Sequence, residues 1–130
     1  MKIAIDIMSG DKAPDANING VINTLKKKKE IFFTLVGDEK IIKKNKELNK
    51  YKKNFDIIHT SQIVTIHDSP SRIIKTKPDS SLVKCISLIK DKKIDAVISS
   101  GNTGCLLASS LLILGKIESI SRPALAAYIP

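Results

Sequence analysis

Two polar turns hold most of the residues in this chain that could bind an anion or polarise a carbonyl. The second of them, Ser100-Gly101-Asn102-Thr103-Gly104, follows the apolar run Ala96 to Ile98 and precedes the apolar stretch Cys105 to Leu114. Its glycines permit close backbone approach, and Asn102 and Thr103 can cap a helix and donate to a phosphate. Backbone N–H groups at a helix start would complete a cradle for phosphate or for a developing oxyanion. The plainer alternative is a strand-to-helix turn with a capping Thr. The first turn, Asp6 to Pro14, brings Asp6, Ser9, Gly10 and Asp11 to the end of an alternating β-branched run. Ligands sit at that edge in open parallel sheets; the alternative is a turn with Asp11 as a helix cap.

A third cluster opens with Asp68-Ser69-Pro70 and continues through Arg72, Lys75 and Lys77. Ser69 reads as an N-cap with Pro70 at the first helical position. Its cations would attract a phosphate or an acidic surface, unless this is a capped surface helix with solvated charges. Asp79-Ser80-Ser81 is a strong helix start, with Ser80 and Ser81 as further binding candidates. Cys105 directly follows the glycine loop, but no His is held near it by spacing, so covalent catalysis there is not expected. Cys85 and Cys105 lie in predicted helices without metal spacing and read as reduced packing residues. His59 ends a strand and reads as structural.

These turns need elements to position them. Lys2 to Ile7, Ile31 to Val36, Phe55 to His59 and Ala96 to Ile98 read as strands, with a further strand over Ala124 to Ile129. Ala16 to Lys29 is an amphipathic helix with Ile18, Val21, Ile22 and Leu25 on one face. A lysine-rich helix is expected from about Glu39 to Leu48, another from Asp79 to about Lys92, and a third from the glycine loop to Leu114, stopped by Gly115. Ile63 to Ile66 is a candidate short strand. Strand and helix alternate, which argues for a parallel, doubly wound α/β sheet.

Length and composition set limits. A chain of 130 residues fits a single domain with a real core. No apolar run is long enough to span a bilayer, and the N-terminus does not resemble a signal peptide, so a cytoplasmic protein is expected. Net charge is +9, yet among 22 basic residues only Arg72 and Arg122 are arginine, and aromatics make up 4%. Nucleic-acid readers rely on arginine forks and stacking platforms, so a small basic nucleic-acid module is a distant alternative. The lysines read mainly as solvated surface.

Met1 to Pro14, Leu35-Val-Gly-Asp38, Asp68-Ser-Pro70, Lys77-Pro-Asp-Ser-Ser81, Ser100-Gly-Asn-Thr-Gly104 and Arg122-Pro-Ala-Leu125 resemble, in order, motifs of the PlsX family of phosphate acyltransferases. They span nearly the whole chain but only about the first two-fifths of a family member. The last apolar run stops at Pro130, so the expectation is the N-terminal part of a longer α/β acyltransferase domain, or a truncated product. The resemblance implies a Rossmann-like α/β/α sandwich similar to phosphotransacetylases. It also implies transfer of a fatty acyl group from acyl carrier protein to inorganic phosphate, giving acyl phosphate for phospholipid synthesis. Implied partners are acyl carrier protein, a second copy when full length, the inner face of the membrane and a membrane-bound glycerol-3-phosphate acyltransferase. No metal or organic cofactor is implied. The family usually carries Gly where this chain has Ser9, and an acidic residue where it has His67. A catalytically silent fragment of the same enzyme is the alternative reading.

Overall fold

In the computed structural model, residues 1–126 are described. Four strands form one all-parallel sheet in the order β3-β2-β1-β4: β1 Lys2–Asp6, β2 Phe32–Gly37, β3 Phe55–His59 and β4 Ala96–Ile98. Parallel strands need crossovers, and the helices supply them on both faces. α1 (Asp15–Lys27) carries the chain from β1 to β2, and α2 (Glu39–Lys44) with a 3-10 turn (Leu48–Asn54) carries it to β3. From β3 a long strap, residues 61–80, and α4 (Ser81–Lys90) cross to β4, on the other side of β1; the strap contains a 3-10 turn (Pro70–Arg72) and α3 (Ile73–Thr76). α5 (Thr103–Leu114) follows β4. The order reverses at β1, so the sheet is doubly wound and its switch point lies between β1 and β4.

The two-residue period of β1 explains the layering. Ile3, Ile5 and Ile7 join Ile18, Val21, Ile22 and Leu25 of α1 in one core, while Ala4 faces Cys85 and Leu88 of α4 in the other. Each buried aliphatic side chain of α1 contributes roughly 1.5–3 kcal/mol. A third cluster joins Val64, Ile73, Leu82 and Cys105, and so binds strap, α4 and α5 together.

The expected elements differ from the observed ones in several places, α1 among them, which stops at Lys27 and not Lys29. The lysine-rich helix ends at Lys44, because the Asn45 side chain accepts from the Leu48 N–H (2.9 Å) and starts a new turn. Ile42 and Leu48, six residues apart and out of phase on one helix, are thereby both fully buried. α4 stops at Lys90, where the Lys93 N–H reaches Leu88 O and Lys92 adopts φ 56°. Ile63 to Ile66 is not a strand; the only bridge nearby is isolated, between Gln62 and Ser80. The expected strand over Ala124 to Ile129 is absent over 124–126, and Ala127, Tyr128 and Ile129 lie outside the described residues. Among the described residues, no helix is long and apolar enough to cross a membrane.

Candidate functional site

The turns after β1 and β4 meet at the switch point. Gly10 adopts φ 109°, a conformation that favours glycine, and a Cβ there would lie 2.5 Å from Ser100 Oγ. Gly101 is as tightly placed, since its Cβ would lie 2.5 Å from Ser9 Cβ. Positive φ therefore falls on Gly10, and Ser9 is accommodated without it. Ser9 is buried and its Oγ has no hydrogen-bond partner. Ser100 Oγ donates to Ser9 O (2.8 Å), which ties the two turns together.

Beneath them lies Asp6, fully buried on the same face as Ala4, towards α4. Ser81 Oγ donates to its Oδ1 (2.5 Å) and Ser99 Oγ to its Oδ2 (2.8 Å). One carboxyl thus joins β1, the first turn of α4 and the end of β4. Ser80 is the N-cap of α4, its Oγ accepting from Val83 N. Asn17, in the first turn of α1, sets its amide nitrogen 3.0 Å from both Ile7 O and Ser9 O. These bonds hold the turn after β1 in place of a neighbouring strand.

Asn102 rather than Thr103 caps α5: its Oδ1 accepts from Cys105 N (3.1 Å). Its Nδ2 donates to Thr65 O (3.1 Å) and Ile66 O (3.4 Å), so one amide caps the helix and pegs the strap. Gly104 leaves room for Pro70, whose ring would stand 3.0 Å from a Cβ there. The backbone N–H groups of Thr103 and Gly104 have no protein acceptor among the described residues and form the free positive end of α5.

The strap is braced from within. Lys77 Nζ donates to Asp68 Oδ2 and to Ile63 O, both at 2.7 Å, and Thr65 gives Asp68 two more bonds. The Lys77 ammonium, with the Thr65 donors, lowers the Asp68 carboxyl to about 2. Side chains of Lys77, Asp68 and Asn102 thus take the backbone groups of 63–66 that a strand would have used. Asp79 closes the base by accepting from Ser61 N and Oγ, bonds that lower its pKa.

The resulting cleft holds about 520 Å3. Among the expected residues, Gly10, Asp11, Gly101 and Asn102 line it; Asp6, Ser9 and Ser81 lie below as support. Asp11 caps no helix, the N-cap of α1 being Pro14. Ser69 takes the N-cap position of the turn Pro70–Arg72 as expected, but its Oγ pairs with Ser71 Oγ and makes no capping bond, and neither it nor the exposed Arg72 lines the cleft. His67 lines it, whereas His59 lies elsewhere, its Nδ1 accepting from Glu39 N at the start of α2. Burial raises the Cys105 thiol, the opposite of what a nucleophilic cysteine needs. Sequence reading missed Asn17, Ser99 and Ser100 as supports, since Ser99 and Ser100 act on residues 93 and 91 positions away and Asn17 on the turn folded back over the start of its helix. A polar residue in the first turn of an amphipathic helix was the one available signal for Asn17.

Comparison with known proteins identifies the family of the chain. The model of the family described as "Fatty acid synthesis protein" matches residues 1–130, the whole chain. Curated relatives named phosphate acyltransferase include those of Dictyoglomus turgidum (43% identical over 131 residues) and Clostridioides difficile (40% over 131). That of Halothermothrix orenii is 44% identical over 133 residues. Each alignment covers 100% of this chain and 38–39% of the relative, so the chain spans about two-fifths of their length. With the family model matching it from end to end and relatives at 40–44% identity along its whole length, this chain belongs to the fatty acid synthesis protein family.

Proposed function

We propose that the chain takes part in transferring a fatty acyl group from acyl carrier protein to inorganic phosphate, yielding acyl phosphate. The observation that carries this reading is the meeting of the two glycine turns at the switch point, where Gly10, Gly101 and Asn102 line the cleft just ahead of the unpaired N–H groups that open α5. Unpaired N–H groups there suit a phosphate or the oxyanion of a tetrahedral intermediate. A phosphate oxygen attacks the thioester carbonyl, the new C–O bond forms, the C–S bond breaks, and the thiol leaves on its carrier. Gly10 and Gly101 keep the floor low enough for the reacting groups to approach backbone, while Asp6 holds the two turns at a fixed separation. Lys77 is committed to Asp68, so charge balance falls to the N-terminus of α5. Acyl carrier protein is the proposed partner, with homodimerisation and attachment to the inner membrane face as further parts of the reading.

A second reading is that these 130 residues are one part of the catalytic unit. It is favoured by apolar surface at β4, α5 and the turn after α5: Ile98, Leu112 and Ile117 are 52%, 62% and 80% exposed. The test is release of free carrier protein from its acylated form with and without phosphate, the product being trapped with hydroxylamine. It is run on these 130 residues and on the longest reading frame that contains them. Phosphate-dependent release in the longer protein supports the transfer, and release by the 130 residues alone places a working site within them. Absence of phosphate dependence in both refutes the transfer and leaves a silent copy.

A further inference from the structure

The cleft has two unlike walls. Gly10, Ser100, Gly101 and Asn102 present backbone and small polar groups on one side. On the other, the strap holds Ile63 and Ile66 at the cleft with 43% and 76% of their surfaces exposed. Their backbone is not free to turn them inward. Ile63 O is held by Lys77, and Ile66 O by Asn102, the residue that also caps α5. The polar end is therefore fixed to the lip at Ile66 through Asn102, and Ile63 is held within the strap by Lys77, so little ordering remains for a ligand to impose. A cleft of this size falls in the range of small-molecule sites, about 300–1,000 Å3, and its walls match a molecule with a polar reacting end and an aliphatic tail.

We infer that Ile63 and Ile66 form the contact surface for the first methylenes of the acyl chain beside the thioester carbonyl, and so set how strongly chain length is felt. This rests on the acyl-transfer reading above and adds to it the side chains that meet the substrate's apolar part. A rival location is the groove of about 480 Å3 lined by Leu107, Leu111, Leu114 and Ile117. Leu114 is ten residues along α5 from Gly104, which at about 1.5 Å per residue puts it roughly 15 Å from the glycine loop. A short chain whose carbonyl sits at the loop meets the isoleucines and does not reach Leu114, at the far end of that groove.

The experiment measures binding of butyryl-, hexanoyl- and octanoyl-pantetheine by calorimetry to this chain and to its Ile66→Ser, Ile63→Ser and Leu114→Ser variants. Because Ile66 is mostly exposed, its replacement leaves the core untouched. Burying a methylene fully is worth about fourfold in affinity, so partial contact predicts two- to fourfold per methylene in the unmodified protein. The expected result is a fall below about 1.5-fold in Ile66→Ser, a smaller fall in Ile63→Ser, and no change in Leu114→Ser, by the same area argument. An unchanged slope in both isoleucine variants overturns the inference, as does a slope that responds to Leu114 instead. Failure of every thioester to bind the unmodified protein overturns it too. A slope that maps to Ile66 in a protein making no acyl phosphate sustains this contact and refutes only the transfer reading.

Discussion

Asn102 performs two tasks with two atoms, and Asn102→Asp separates them. A carboxylate keeps the acceptor that caps α5 at Cys105 N, and negative charge suits a helix N-terminus. It cannot donate, so the bonds to Thr65 O and Ile66 O are lost. Two ordinary hydrogen bonds are worth about 1–3 kcal/mol together, and a carboxylate facing those carbonyls adds repulsion. Local opening of the strap should therefore become roughly 5- to 150-fold more frequent. Hydrogen exchange read by mass spectrometry is the assay. The protected N–H groups of Thr65 and Asp68, which bond to Asp68 Oδ2 and Thr65 O, report the strap, and residues 107–114 report α5. Asn102→Asp should speed exchange in the strap and spare α5, whereas Asn102→Ala should loosen both, losing about a further 1 kcal/mol with the cap. Strap exchange at the unmodified rate in Asn102→Asp would refute the claim that this amide pegs it.

Ser81→Ala leaves Asp6 Oδ1 buried without its 2.5 Å donor, a loss of about 1–3 kcal/mol that lowers Tm by roughly 5–10 °C; a melting curve superimposable on the unmodified one would show that the hydroxyl does not matter. The depressed Asp68 carboxyl contributes stability that is complete above the ordinary carboxylate value near 3.8 and is lost as pH falls towards about 2. Thr65 and Ile66 amide resonances should therefore hold steady above pH 5 and shift between about pH 4 and 2, and Asp68→Asn should abolish that step; an identical step in the variant would assign it elsewhere.

Much of the fold was readable because it rests on local pattern. Alternation in Lys2 to Ile7 and the four apolar residues of α1 need only their own periods to show which faces are buried. The helix starts at Ser80 and after Asp68-Ser69-Pro70, and the stop at Gly115, follow from residue chemistry within a few positions. The two glycine turns could be named as site elements for the same reason: each is a short polar break between regular segments.

Tertiary structure decided what those turns do with their side chains. Lys77 could be read as a free cation until it was found on Asp68, nine residues earlier, and Asn102 as a phosphate donor until its amide was found on the strap, 36 and 37 residues away. Ile63 to Ile66 has the composition of a strand, yet the carbonyls of Ile63, Thr65 and Ile66 are taken by the distant side chains of Lys77 and Asn102, and the Thr65 N–H by nearby Asp68. Ser99 joins Asp6 across 93 positions. Hydrogen bonds between residues so far apart leave no period in the sequence, because they depend on where the parallel crossovers return the chain. The sequence alone therefore determined the alternation of strand and helix and the family, and the packed structure decided which polar groups remain free to meet a ligand.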